Sequence, residues 1–306
     1  MSKIYILIAS LFLLTQLSFG KTDLRFNLKI GESYHQNMVA KSVINQVLSG
    51  KNMDMLMTMG GSTTYKVIAK EDSIYSMDVV YDSLSMSVAT EGFEVVYSSE
   101  NVLDTNDYVS ILLAALKDIT FKIKMSEKGR ILEIKEFDNL FEKALVAIQK
   151  LEPKLRKQLE DNLKNSFGKE NFKSSFETIT AIFPDNLVNE GNEWQSISLL
   201  NNNMPVKITT KYKFEGQTDD LYTITGVGSL VSYQPKDGIY NNTTPYTYDI
   251  KGDVVSEIKL DKSTCWIKEA VIKQEMKGYT MLKSDMGTSN PQKIEMEFKV
   301  KTTYND

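Results

Sequence analysis

His35 is the single histidine and Cys265 the single cysteine of this 306-residue chain. A Ser/His/Asp or Cys/His catalytic set would therefore have to run through one of them. His35 follows Tyr34 at the start of an expected strand, with no Ser or Cys motif beside it, and reads as an ordinary strand residue. Cys265 adjoins Trp266 in a β-rich run; alternation sends the two side chains to opposite faces, and a lone buried thiol is normally inert. One His and one Cys also fall short of the three or four ligands of a zinc centre. Carboxylates are plentiful, and pairs such as Asp219 and Asp220, or Glu133 and Glu136, could be imagined as acid and base. Glycoside hydrolysis needs such a pair about 5–9.5 Å apart across a cleft, whereas acidic surface residues are the ordinary reading. The cluster from Asp104 to Asp107 lacks the Gly and distal Glu of a calcium loop and reads as a helix cap. No phosphate-cradling Gly loop, nucleophile elbow or HExxH occurs. The expectation is a protein that is not an enzyme and uses no metal or cofactor.

The residues that remain for function are apolar. Met53, Met55, Met57 and Met59 alternate along one expected strand and so share a face. Polarizable thioethers can line a surface for a lipid or another flexible apolar ligand. They can also hold Cu(I), but the missing Met-x-x-Met spacing and the lack of His argue against it, and four such residues also describe a plain core face. Phe172 and Phe176 stand on an expected helix. The candidate apolar ligand surface is thus Met53, Met55, Met57, Met59, Phe172 and Phe176.

Positioning them requires a sheet and a helical cover. Leu24, Phe26, Leu28 and Ile30 alternate with polar residues as in a half-buried strand. Gly31-Glu32-Ser33 then turns into a stretch from 34 to 48, followed by runs at 52–59, 63–69, 74–81, 84–88 and 93–97. Short connections between them imply antiparallel pairing. A helix is expected over 108–117, a hairpin over 119–135 with Gly129 at its turn, and an amphipathic helix from Phe137. Pro153 breaks that helix and suits the first turn of the next. Phe172, Phe176, Ile179 and Phe183 mark a third, closed by Pro184. Strand patterning returns at Trp194 with runs at 206–214, 221–231, 249–260, 264–279 and 293–303, and residues 233–248 read as a long loop. Strands, helices, strands is an α+β order. The expected fold is a large curved antiparallel sheet in two β-meander halves (21–100 and 184–306), with a mid-chain helical segment (104–183) covering one face, in a single mature domain, 21–306. Two motifs echo across the halves: Gly31-Glu32-Ser33-Tyr34 with Gly191-Asn192-Glu193-Trp194, and Ile74-Tyr75-Ser76-Met77 with Leu221-Tyr222-Thr223-Ile224. Duplication would explain the echo, and so would ordinary turn-to-strand chemistry.

Residues 1–20 read as a removed signal peptide: Lys3, an apolar run from Ile4 to Leu14, then small residues at 18 and 20. The run is too short for a bilayer, which needs about 20 apolar residues. Lys21 rather than Cys follows, so no N-terminal lipid anchor is expected. An exported chain with one Cys reads as bacterial and periplasmic or extracellular. A net charge of −4 gives no clustered positive potential for nucleic acid, and no membrane span is expected.

Two segments carry a resemblance: Leu24 to Tyr34 (LRFNLKIGESY) and Phe183 to Trp194 (FPDNLVNEGNEW). Both are similar to the pattern, an apolar or Phe-Pro approach into Gly-polar-polar-aromatic, of a family of uncharacterised exported proteins of Gram-negative bacteria known by a domain-of-unknown-function number. That resemblance implies export and no assigned activity. In architecture the chain also resembles the half-barrel lipoprotein carriers of the bacterial envelope, which hold acyl chains between sheet and helices. The functional expectation is an exported binding protein for an apolar or amphipathic ligand, with a structural or protein-interaction role as the alternative and a carboxylate-based hydrolase behind both.

Overall fold

The computed structural model describes residues 20–48, 50–100, 102, 104–200, 205–233, 246–282 and 292–306. The expected signal peptide, over its residues 1–19, and most of the expected loop at 233–248 lie outside them. Among the described residues there are twelve strands and four helices. The first half supplies β1 (Ser33–Leu48), β2 (Lys51–Glu71), β3 (Ile74–Thr90) and β4 (Phe93–Ser98). The middle supplies α1 (Tyr108–Leu116), β5 (Phe121–Ser126), β6 (Ile131–Lys135), α2 (Phe137–Val146), α3 (Pro153–Phe167) and α4 (Lys169–Thr180). The second half supplies β7 (Glu193–Leu200), β8 (Val206–Gln217), β9 (Leu221–Ser232), β10 (Tyr246–Asp261), β11 (Ile267–Leu282) and β12 (Gln292–Asn305).

All twelve strands join one antiparallel sheet, in the order β6-β5-β3-β2-β1-β12-β11-β10-β9-β8-β7, with β4 on β3. The halves meet where β1 pairs with β12, from Asn37 opposite Asn305 to Val47 opposite Glu295. This is the α+β fold expected, an open, curled antiparallel sheet with helices against it. The runs at 52–59 and 63–69 are one strand, β2, and those at 74–81 and 84–88 are one strand, β3. Gly60-Gly61 continues β2 rather than ending it, and the β2–β3 register shifts at Ser62/Thr63. Such an irregularity bends a strand and adds twist. A Cβ on Gly61 would stand 2.7 Å from the Ser83 carbonyl oxygen, so this close approach requires glycine.

The curl leaves β6 and β7 as edges, and the C-terminal end of α4 spans both. On one side Glu177 accepts from Ile131 N at 2.7 Å and Thr180 Oγ1 donates to Gly129 O at 2.8 Å. On the other, Trp194 Nε1 donates to Ile182 O at 2.7 Å and Ser196 Oγ to Ala181 O at 3.3 Å. Gly129 has φ +79°, and a Cβ there would meet the Thr180 carbonyl at 2.0 Å. Phe172, Phe176 and Ile179 form the buried stripe of α4, and Phe137, Leu140, Phe141 and Ala144 that of α2.

One sequence expectation needs correcting. Residues 24–30 keep the alternation, with Leu24, Phe26 and Leu28 buried, but they pair with no strand, and Ile30 is 61% exposed. The segment runs across one end of the curled sheet instead. Phe26 N donates to Glu127 O and Asn27 N to Thr264 O, both at 2.8 Å. Tyr75 Oη accepts from Leu28 N and donates to Phe26 O, both at 3.1 Å. The segment seals a cluster in which Trp266 packs on Phe26, Tyr34 and Tyr65 at centroid distances of 5.9, 5.2 and 5.4 Å.

The two halves repeat one local device. Gly31 N donates to Val67 O at 2.8 Å and Val67 N to Glu32 O at 3.0 Å; Gly191 N donates to Phe214 O at 2.7 Å and Phe214 N to Asn192 O at 3.0 Å. Both glycines have positive φ, +88° and +83°, the left-handed region that glycine adopts without strain. Irregularities follow at Val67/Ala69 and at Phe214/Gly216. Glu127 N then meets Ser73 O, as Lys262 N meets Asp220 O, at 2.8 Å each. The β1-β2-β3 and β7-β8-β9 units are built on one plan.

Candidate ligand pocket

The four methionines occupy the inner face of β2, opposite Gln46, Ile44, Ser42 and Ala40 of β1. They share a face but not an environment. Met53 is 43% exposed near the tip of the β1–β2 hairpin, and Met55 and Met57 are half-buried. Met55 packs against the buried core, and of the four Met59 is the one that lines a pocket under the helical cover. There, with Phe172 and Phe176, it lines a pocket of about 140 Å³ between the sheet and the α3–α4 junction. Sequence spacing placed the six candidate residues on two elements, and the structure brings three of them together.

The pocket has an aromatic wall. Phe172 and Phe176, one turn apart on α4, have centroids 5.9 Å apart and nearly parallel planes. Tyr65 lies 5.0 Å from Phe176, and Tyr81 6.3 Å from Phe172. Met38, Leu84 and Ile179 add aliphatic surface, and Ser166, Phe167 and Asn171 belong to the α3–α4 junction. No lining residue is charged. Burial raises the pKa of Tyr65, Tyr81 and Tyr304 well above that of an ordinary phenol, so all three are neutral donors at physiological pH. Tyr65, Tyr81, Tyr304 and Gln36 were not among the sequence candidates. Their signal was there in part: Tyr65 and Tyr81 sit at inward positions of β2 and β3, but only the strand pairing, which sets Gln36 opposite Thr63 and Tyr304 opposite Met38, brings Tyr304 and Gln36 to the same place.

The chemistry-bearing residues lie elsewhere. Cys265 is buried, and desolvation pushes its thiol up to about 11. His35 is exposed on the outer face, its Nδ1 2.9 Å from Thr64 Oγ1, which in turn donates to Asp82 at 2.8 Å. In a catalytic triad the imidazole stands between hydroxyl and carboxylate; here the hydroxyl stands between, with its proton on the carboxylate side. Asp107 caps α1 by accepting from Ser110 N at 3.0 Å. Asp261 Oδ1 accepts from the backbone and hydroxyl of both Ser263 and Thr264, at 2.6–3.0 Å. Desolvation raises the Asp261 pKa, but these donors outweigh it and the net shift is downward. A wider groove of about 710 Å³ passes Lys128, Arg130 and the Phe183–Trp194 segment. Its cations are already engaged, Lys128 with the Leu24 and Pro184 carbonyls and Arg130 with Glu177 and the Ile197 carbonyl. Among the described residues no cluster of His, Cys, Asp and Glu could hold a metal ion, and no helix is long and apolar enough to cross a membrane.

No curated protein matches the chain. Among solved structures it is similar to the outer membrane protein OprG from Pseudomonas aeruginosa, at 8% identity over 90% of this chain and 98% of that one, TM-score 0.24. It is similar to the COG4313 outer membrane channel from Pseudomonas putida F1, at 7% identity over 91% and 97%, TM-score 0.22. It is also similar to a DUF1329 family protein from Desulfovibrio piger, at 8% identity over 88% and 85%, TM-score 0.14. Scores this low carry no argument about this chain. A family model described as a family of unknown function, DUF6263, matches residues 72–267. That span includes the Phe183–Trp194 motif, all four helices and the aromatic wall of the pocket except Tyr65 and Tyr304, and the chain belongs to this family.

Proposed function

We propose that this is an exported, non-enzymatic protein that binds an apolar or amphipathic ligand, taking its apolar end between the sheet and the helical cover. The observation that carries the reading is the meeting of Met59 with Phe172 and Phe176 around an uncharged pocket of about 140 Å³. Its volume matches that of apolar cavities that accept benzene-sized guests, although this pocket is partly open and Gln36, Thr63, Ser166 and Asn171 share its lining. The volume suits the end of an acyl chain or one ring, so the rest of a larger ligand would lie beyond the α3–α4 junction. The removed-signal pattern at residues 1–20 supports export. The outer sheet face supports a place outside the bilayer: Lys273, Glu275 and Lys277 on β11 and Glu295, Glu297, Lys299 and Lys301 on β12 point outward. A transmembrane barrel carries an apolar band there, and Lys at mid-bilayer costs about 2–4 kcal/mol.

The test is calorimetric titration of the purified protein with toluene, beside Met59→Trp. Saturable binding to the wild-type protein, lost in the variant, is expected. Overpacking by Trp should cost about 1–3 kcal/mol, so folding of the variant is checked by its thermal transition. No toluene binding to the wild-type protein would leave the structural or interaction role as the better account.

A further inference from the structure

The rings around the pocket stand in two orientations. Phe172 and Phe176 have nearly parallel planes, 15° apart, at a centroid distance of 5.9 Å. Tyr81 is almost perpendicular to Phe172, at 79° and 6.3 Å, and Tyr65 is tilted by 34° against Phe176 at 5.0 Å. All four line the pocket, together with Met38 and Met59. An aromatic ring carries a negative face and a positive edge, so ring pairs favour offset stacks and edge-to-face contacts. A flat guest lying parallel to Phe172 is nearly parallel to Phe176 and nearly perpendicular to Tyr81. One orientation of such a guest therefore meets a stacked partner and an edge-to-face partner together. Methionine adds to this, because its sulfur is attracted to ring edges. A saturated chain or ring gains only burial at the same place. A charged guest finds no counter-charge in the lining, and burying an unpaired charge is far costlier than burying a neutral ring.

We infer that the pocket takes an aromatic ring, free or at the end of a larger amphipathic molecule, in preference to the end of an acyl chain. The ring lies along Phe172 and Phe176 and makes edge-to-face contact with Tyr81. This inference rests on the binding reading above and narrows it to one ligand class.

Toluene and methylcyclohexane have the same number of carbon atoms and differ in aromaticity; n-heptane, of equal carbon count, stands in for an acyl end. Their affinities are measured for the wild-type protein and for Phe176→Leu, which keeps an apolar side chain and removes one ring. Burial of apolar area alone ranks the two saturated guests at or above toluene. The aromatic wall reverses that order, with toluene expected to bind about tenfold tighter than either. In Phe176→Leu the toluene-to-methylcyclohexane affinity ratio is expected to fall about fivefold. Hydration of the free guests cancels from that comparison, being the same for both proteins. Saturated guests that bind as tightly as toluene, or a ratio unchanged in the variant, overturn the aromatic inference and leave the pocket intact. Failure of all three to bind the wild-type protein overturns both readings. If Phe176→Leu does not fold, a crystal structure of the wild-type protein with toluene decides. A toluene centroid about 4.5–7 Å from those of Tyr81 and of Phe172 or Phe176, stacked or edge-to-face, supports the inference, and a ring bound without such contacts overturns it.

Discussion

At Cys265 burial disfavours the thiolate, the reactive form of the side chain. The residue has φ +55° and is buried, and desolvation lifts its pKa to about 11. Thiolate is the reactive form, so at pH 8 native protein should resist iodoacetamide while denaturant-unfolded protein reacts readily; fast labelling of native protein would contradict the burial. Its burial was legible from sequence, since a lone Cys is usually core, but its place was not: Cys265 stands with φ +55° in the turn before β11, and alternation does not divide it from Trp266, since both are buried in the core. The methionines were legible only halfway. Period-2 spacing puts all four on one face, yet it cannot say that Met53 ends near a hairpin tip while Met59 meets α4. Gln36 was not legible at all, because a polar residue on an inward position looks like an error of pattern until its neighbours are known.

At the scale of elements the paired turns carry the testable energetics. Gly31 and Gly191 have positive φ with nothing near their missing Cβ atoms, so replacement by Ala meets only backbone strain. Gly31→Ala and Gly191→Ala should each cost about 1 kcal/mol, read as similar falls in Tm, whereas unequal effects would show that the two locks are not equivalent. The turn before Trp266 depends on Asp261. Its folded-state pKa lies below its unfolded one, so its contribution is present above the unfolded value, near 4, and is lost as pH falls through the folded value. Asp261→Ala should therefore cost about 1–3 kcal/mol at pH 7, with the gap to the wild-type protein closing below pH about 4 in pH-dependent denaturation. Helix ends and most strands could be read from Pro153, Gly129 and alternation. Residues 24–30 misled because a segment buried on alternate residues looks like a strand whether or not its backbone pairs with one.

Taken whole, the molecule depends on closure between its ends in sequence. β12 lies between β1 and β11, so the last strand ties the first half to the second, and the buried cluster runs through both halves and the helices. Thermal unfolding followed by far-ultraviolet circular dichroism and by tryptophan fluorescence should give one coincident transition, since Trp194 and Trp266 stand in the second half and pack on α4 and on the first half. Two separated transitions would divide the halves. The same closure makes the pocket, by carrying Tyr304 of β12 and Gln36 of β1 to Met59 of β2 and the phenylalanines of α4. That convergence is the central claim, and diffraction from crystals under xenon pressure tests it most directly, because xenon enters dry apolar cavities without needing a hydrogen bond. A xenon site bounded by Met59, Phe172 and Phe176, absent in Met59→Trp, is the predicted result; a filled interior at that place with no xenon would contradict the account.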